Sequence, residues 1–243
     1  MEYKGPSAYD EEFFFNRFLS RRNRADSPNN TMEHPAFIKL LGEVGQKKIL
    51  DLGCGDARFG VELLKKGCSS YEGVEGSRNM AEQAAESLNG LKGRVFHSYL
   101  EEWNYPSAHY DLIVSRMSFH YIEKLEPIFE QIHQALRDNG RFIFSVQHPV
   151  LTSSQASAVQ SPRRTNWIVD DYFDGGKRVE PWIEEQVVKY HRTLEDYFKV
   201  IKASGFTIED ISECAPKRGQ LTNEGEYQRR MRIPLFLIIA CHK

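Results

Sequence analysis

From Lys48 onward the chain alternates between short apolar blocks and longer amphipathic stretches. KKIL is a short apolar strand, and FGVELLKKG has helical spacing with Gly67 placed as its C-cap. YEGVEG is a second strand ending in an acid. SRNMAEQAAESLNG is a helix opened by Ser77, a good N-cap, and closed before Gly90. RVFHSYL and YDLIVSR are third and fourth strands, LEPIFEQIHQALRDNG is an amphipathic helix expected to end at Gly140, and RFIFSVQ is a fifth strand. TLEDYFKVIKASGF is a helix ending near Gly205, and TIEDISECA and PLFLIIACHK add two further β segments. Strands alternating with helices predict an α/β fold, a doubly wound and mostly parallel seven-stranded sheet with helices on both faces.

Two regions break this rhythm. Residues 1–45 are expected to form a helical cap: Phe13, Phe14, Phe15, Phe18 and Leu19 cluster, SRRNRADSPNN follows, and a second helix spans about Glu33 to Val44 with Pro35 in its first turn. Residues 46–243 then form the main domain, with a lid-like insertion at about 151–189. In that insertion TSSQASAVQSPRR is polar and expected to be flexible, while NWIVDDYFDGGKRVEPWIEEQ is rich in aromatic and charged residues. A long loop inside a compact domain is usually a lid or a binding loop.

Composition narrows the classes. With 243 residues, 40% apolar and 27% charged, the chain reads as an ordinary globule. Its net charge of −2 gives no global field toward nucleic acid or membrane. Cys54, Cys68, Cys214 and Cys241 are scattered without metal-ligand spacing, so no metal is expected and a reduced, cytoplasmic setting is. The opening MEYKGPSAYDEEFFF lacks the pattern of a signal peptide, and no apolar run is long enough to span a bilayer.

The chemistry concentrates in KILDLGCGDARFG. Ligands of open α/β sheets lie beyond the carboxyl ends of the strands, where Gly53 and Gly55 let a ligand approach the backbone. The dinucleotide spacing G-x-G-x-x-G fails, because Arg58 stands where the third glycine would fall, and no P-loop G-K-S/T follows. Asp51, before the first glycine, would repel a pyrophosphate and suits an ammonium; it is also able merely to cap the turn. Glu75, ending the second strand, matches the two hydroxyls of a ribose. The site therefore asks for a nucleoside with a cationic tail, as in S-adenosyl-L-methionine. Cys54, between the glycines, reads as a small residue filling a tight space.

DLGCGDARFG, GVEGS, YDLIVSRMSFHYI and ALRDNGRFIFSVQHP, in that order, resemble the motifs of class I Rossmann-like SAM-dependent methyltransferases. The resemblance is close over roughly residues 48–150. Through VVKYHRTLEDYFKVIKASGF the chain is similar to bacterial small-molecule members of the type 11/12/25 domain group. It implies S-adenosyl-L-methionine as cofactor and S-adenosyl-L-homocysteine as product. Carried over by position, it places Gly53 and Gly55 at the methionine part with Asp51 near its amino group, Glu75 at the ribose hydroxyls, and Gly76 among the cofactor-binding residues. Ser77 or Met80 lies beside the adenine, Tyr99, Leu100 and Glu101 at its edge, and Ser115 at the amino-acid tail. The family often has aspartate at Tyr99, and Ala57 replaces a common glycine, at little cost if its dihedrals are ordinary.

For a general base, His148 and His191 are the candidates, with Tyr190 beside the latter; His120 in SFHYI is as suited to packing as to chemistry. The expected reaction is in-line methyl transfer to the O or N atom of a small molecule, beneath a cover rich in Trp167, Tyr172, Phe173 and Trp182. An RNA or protein methyltransferase is the alternative, although SRMS stands where an N-P-P-Y-type tetrapeptide would. A non-enzymatic SAM-binding regulator is another. Neither nucleic acid nor membrane is an expected partner, and oligomeric state is left open.

Overall fold

A computed structural model describes residues 2–154, 156 and 166–243 of the chain. The N-terminus opens as a strand, β1 (Glu2–Lys4), followed by a 3-10 turn Gly5–Asp10 and helix α1 (Glu12–Arg22). The expected helical cap is therefore partly β. A π-type turn, Asn29–Glu33, leads into α2 (His34–Leu41) with Pro35 in its first turn.

The α/β body begins with β2 (Lys48–Leu52), α3 (Arg58–Lys65), β3 (Ser70–Glu75), α4 (Arg78–Ser87) and β4 (Gly93–His97). The Ser77 hydroxyl accepts from Met80 N at 3.2 Å and starts α4 as the sequence predicts. After β5 (Tyr110–Arg116) comes α5 (Glu126–Ala135), which stops five residues before the expected Gly140. Its last carbonyls are taken by a neighbouring turn, where Ala108 N and His109 N donate to Gln134 O and Ala135 O at 2.9 and 2.8 Å. With those acceptors satisfied from outside, Leu136 is released into the long strand β6 (Leu136–Gln147) and pairs with Tyr110.

A short helix α6 (Pro149–Thr152) follows β6. Residues 155 and 157–165, most of the stretch expected to be flexible, lie outside the described residues. From Gly176 onward the insertion is not a loop. It forms a hairpin of β7 (Gly176–Trp182) and β8 (Glu185–His191), and β1 pairs in parallel with β8 to make a separate three-stranded sheet. The hairpin turns through Ile183 (φ 51°) and Glu184 (φ 68°), left-handed positions that Asn-Gly usually fills. Burial of Ile183 against Ala8, Phe14 and Val187 offsets that strain.

Helix α7 (Leu194–Ala203) starts from a capping box between Thr193 and Asp196. Strand β9 (Thr207–Ser212), helix α8 (Glu224–Arg230) and strand β10 (Phe236–His242) complete the described chain. The main sheet has seven strands in the order β4-β3-β2-β5-β6-β10-β9, parallel except for β10, which runs against β6 and β9. Both faces are covered, so successive residues of one strand enter different cores. Leu50 and Ile113 pack with Phe119, Phe129, Phe142 and Phe144, whereas Ile49, Leu112 and Ile143 pack with Phe37, Phe59 and Leu63. The order reverses between β2 and β5, and the crevice at their carboxyl ends is where such sheets hold ligands.

Candidate active site

Strand β2 leaves the sheet through Gly53 (φ 74°), whose N–H, with that of Cys54, donates to Val74 O at 2.8 and 3.2 Å. A Cβ on Gly53 would overlap the Ser118 hydroxyl beyond β5. Gly55 (φ 58°) donates its N–H to Glu75 Oε2 at 2.8 Å, and Ser77 N donates to Oε1 at 2.9 Å. Burial pushes the Glu75 carboxyl up, and the amides of Ser77 and Gly55 oppose that shift. Each oxygen keeps a lone pair beyond those bonds.

Asp51 does not cap the turn. One oxygen accepts from the Tyr71 hydroxyl at 2.8 Å, while Oδ1 is buried without a partner. Burial pushes its pKa up to about 6, opposed by the Tyr71 bond and by Arg116 and Arg22. An unpartnered buried carboxylate oxygen is costly unless a donor fills it, and an ammonium would. Cys54 fills a tight space as expected, its Sγ lying 2.6 Å from where a Gly73 Cβ would stand. Burial raises its pKa well above the ordinary value.

The N-terminal segment closes over this turn. Pro6 occupies the space of a Gly76 Cβ, and Asp10 accepts from the Ser77 hydroxyl at 2.7 Å and from Asn79 N at 3.2 Å. Arg22, at the end of α1, brings Nη1 within 2.7 Å of where a Gly55 Cβ would be and pairs with buried Asp56 at 3.2 Å. Beneath the cover lies a cavity of about 1400 Å³. Asp51, Gly53, Gly55, Glu75, Gly76, Met80, Tyr99, Leu100 and Glu101 all line it. Ser77 and Ser115 do not: Ser77 supports α4 from behind, and the Ser115 hydroxyl donates to Leu52 O at 2.7 Å, tying β5 to β2.

The opposite wall is aromatic and charged. Tyr9 meets Phe14, Phe18 and Trp182 edge-on, and Tyr121 stacks on Trp182 at 6.5 Å. Lys189 pairs with Glu180 at 2.8 Å and sits 5.1 Å over the Trp182 ring. Of the proposed bases only Tyr190 lines the cavity, with its hydroxyl 3.4 Å from Glu123. His148 does not reach it: Nε2 bonds Glu213 at 2.9 Å and Nδ1 accepts from Val150 N at 3.2 Å. His191 is likewise committed, to Tyr172 O at 2.9 Å and the Thr152 hydroxyl at 2.7 Å. Both imidazoles act as structural hydrogen-bonding groups, and burial lowers the pKa of each.

His120, whose role the sequence left open, lines the cavity. The cavity also adds residues that the sequence did not single out. Arg116 and Glu33 form a buried pair, which Ser145 joins by donating to Glu33 at 2.7 Å. The guanidinium lies 4.7 Å over Phe59 and 5.5 Å over Phe37. Nothing in the sequence joins a glutamate ahead of α2 to an arginine 83 positions later.

A seven-stranded, mostly parallel sheet with this glycine turn and two acids at its switch point has the Rossmann-like methyltransferase architecture. Comparison with known proteins agrees. Residues 16–209 match the family Methyltransf_23, a methyltransferase domain. The crystal structure of an S-adenosylmethionine dependent methyltransferase from Mesorhizobium loti superposes with a TM-score of 0.81 at 31% identity, covering 91% of this chain and 99% of that one. An uncharacterized protein of Haemophilus influenzae is 31% identical over 217 residues, 85% of each chain. A malonyl-[acyl-carrier protein] O-methyltransferase of Halalkalibacterium halodurans is 26% identical over 92% of each. The chain belongs to the Methyltransf_23 family and is an S-adenosyl-L-methionine-dependent methyltransferase. Among the described residues no helix is long and apolar enough to cross a membrane.

Proposed function

We propose that the protein transfers a methyl group from S-adenosyl-L-methionine to an oxygen or nitrogen nucleophile of a small organic molecule. The observation that carries this reading is the single cavity running from the glycine turn to the Trp182 wall. At about 1400 Å³ it exceeds the roughly 300–1000 Å³ usual for one small ligand, leaving room for an acceptor beside the cofactor. Its cover is made by the chain itself, from α1 and the β7–β8 hairpin, which suits a compact acceptor better than a polymer. The relative from Halalkalibacterium halodurans, an O-methyltransferase, supports an oxygen nucleophile.

In this reading Asp51 Oδ1 takes the cofactor's ammonium and Arg22 its carboxylate, with Gly53 and Gly55 giving the amino-acid part access to the backbone. The free lone pairs of Glu75 accept from the ribose hydroxyls. Met80, Tyr99, Leu100 and Glu101 enclose the adenine, while Ser77 and Ser115 hold the surrounding elements in register. The bound cofactor supplies a methyl already activated on a sulfonium. What the protein adds is alignment of the acceptor with the methyl–sulfur bond and exclusion of water by the aromatic cover.

Radiolabelled cofactor offered to small acids, phenols and amines, and separately to RNA and protein, tests the reading. Label is expected in small organic products at a rate nearly independent of salt. Label confined to RNA, with turnover falling steeply between about 50 and 200 mM salt, would overturn it.

A further inference from the structure

His120 lies on the 3-10 turn Phe119–Tyr121 that follows β5, two residues beyond Ser118, whose hydroxyl abuts Gly53. It forms part of the cavity lining, on the wall that begins beyond the glycine turn. The residue is 2% exposed, and Nδ1 is buried without a hydrogen-bond partner. Nε2 is not among the fully buried orphan atoms and has no protein partner among the described residues; since an orphaned buried N–H is rarer than an under-satisfied acceptor, the proton belongs on Nε2 and the buried Nδ1 carries the lone pair. Burial, reinforced by the nearby charges of Lys189 and Arg192, holds the imidazole well below its ordinary pKa and keeps it neutral.

Lys189, 3% exposed, lines the same wall and spends one of its three N–H donors on Glu180. Tyr121 and Tyr190 line the cavity as well, their hydroxyls already meeting Tyr9 at 3.5 Å and Glu123 at 3.4 Å. Beside these donors stand few side chains able to take a proton: Glu123, which accepts from Tyr190 at 3.4 Å at the exposed rim, is the one carboxylate of this wall without a cationic partner among the described residues. His148 and His191 have both nitrogens engaged elsewhere, Glu180 is paired with Lys189, and a neutral imidazole beside two cations is a weak proton acceptor. An aliphatic amine, held as ammonium at neutral pH, must shed a proton before it has a lone pair to attack with, and a hydroxyl must shed one to end as a neutral ether; a carboxylate need do neither.

We propose that His120 Nε2–H and Lys189 Nζ form a donor subsite for a carboxylate, and that the protein makes a methyl ester. The proposal rests on the small-molecule reading above. A carboxylate lone pair forms the C–O bond to the methyl carbon while the C–S bonding pair passes to sulfur. One negative and one positive charge are consumed, a neutral ester and a thioether result, and no proton is released. The rival acceptor is an amine, because Glu180 and the unpartnered Gln147 Oε1 are acceptors in the same cavity.

The full-length protein is assayed with radiolabelled cofactor against monocarboxylic acids, primary amines and phenols, and the products are treated with alkali. Esters release their label as volatile methanol, whereas N-methyl and aryl methyl ether products keep it. Label released from carboxylate products is the expected result. His120→Ala should lower kcat/KM for the acid by about 10- to 100-fold, the range for a hydrogen bond to a charged group, with cofactor affinity by calorimetry unchanged within about twofold. His120→Asn retains a donor and should recover part of the loss. Independently of any acceptor, ¹⁵N-histidine NMR should show His120 as a neutral Nε2–H tautomer from about pH 5.5 to 9. Alkali-stable label in amines or phenols overturns the carboxylate subsite and leaves the small-molecule reading standing, while label in RNA or protein alone overturns that reading. An Nδ1–H tautomer, or kcat/KM for the acid unaffected in His120→Ala, also defeats the proposal.

Discussion

The two ends of the cavity are built by different means. At the cofactor end, one short run of backbone does most of the work. Gly53 and Gly55 turn left-handed, Val74 O and the Glu75 carboxylate collect their N–H groups, and all of it comes from residues 51–77. At the opposite end, side chains meet from three distant segments: Tyr9 near the N-terminus, His120 and Tyr121 after β5, and Glu180, Trp182 and Lys189 in the hairpin. Backbone recognition tolerates little change of conformation, whereas a side-chain wall can be rebuilt residue by residue. On the proposed reading, the cofactor end is the fixed part and the acceptor wall the adjustable one.

Gly53→Ala gives the largest expected effect. It combines a left-handed alanine, about 1–2 kcal/mol, with an overlap on Ser118 costing about 1–3 kcal/mol. Cofactor affinity measured by calorimetry should fall by about 100-fold. Its counterpart, Trp182→Ala, should remove turnover of small acceptors and leave cofactor affinity within about threefold. Loss of cofactor binding in both variants would mean that the two ends do not act separately.

Glu75→Ala comes next. It strands the N–H groups of Gly55 and Ser77 and removes the proposed ribose acceptor, so cofactor binding should weaken by about 1.5–3 kcal/mol, together with a lower melting temperature. Unchanged affinity would place the sugar elsewhere.

Asp51 gives a smaller effect with a sign. Its pKa, raised to about 6, means that the empty folded protein favours the protonated acid. The stability this gives relative to the unfolded chain is present at low pH and is lost as pH rises through about 6. Binding an ammonium does the reverse, because only the ionised acid attracts it. Cofactor affinity should therefore drop as pH falls through about 6, by up to about tenfold per unit. Asp51→Asn should bind weakly at every pH, without that inflection. A wild-type affinity flat from pH 5 to 8 would remove Asp51 from the ammonium contact.

What could be seen in the sequence follows the same division. DLGCGDARFG and GVEGS are contiguous, and their glycine and acid spacing carries its physical meaning without long-range information. The seven strands of the main sheet were legible because most contain a short apolar run bounded by turn residues; β9, TIEDIS, is the polar exception at the sheet edge. The hairpin was not, because Ile183-Glu184 lacks the Asn-Gly signal and is held left-handed by packing against Ala8 and Phe14. Strand β1 is only Glu2–Lys4 and exists through its pairing with β8. The end of α5 was misplaced because its carbonyls are capped by residues 108 and 109, far from any local stop signal. His148 and His191 drew attention as histidines after strands, but their partners Glu213, Tyr172 and Thr152 come from segments that no spacing rule connects.

Ala57 is the finest test of the backbone-built end. The sequence suggested little cost there if its dihedrals were ordinary, and they are not: φ is 54° and ψ is 18°, a left-handed residue three places beyond Cys54. Ala57→Gly relieves about 1–2 kcal/mol of left-handed strain. It also deletes a methyl group that is fully buried among Ile49, Phe59 and Leu63, worth about 0.8 kcal/mol, and frees the unfolded chain by about 0.4–1 kcal/mol. The terms nearly cancel, so chemical denaturation should show a change within about 1 kcal/mol and cofactor affinity should hold. A loss well beyond that would mean the methyl group packs the turn from behind, and that side chains share in shaping even this end of the cavity.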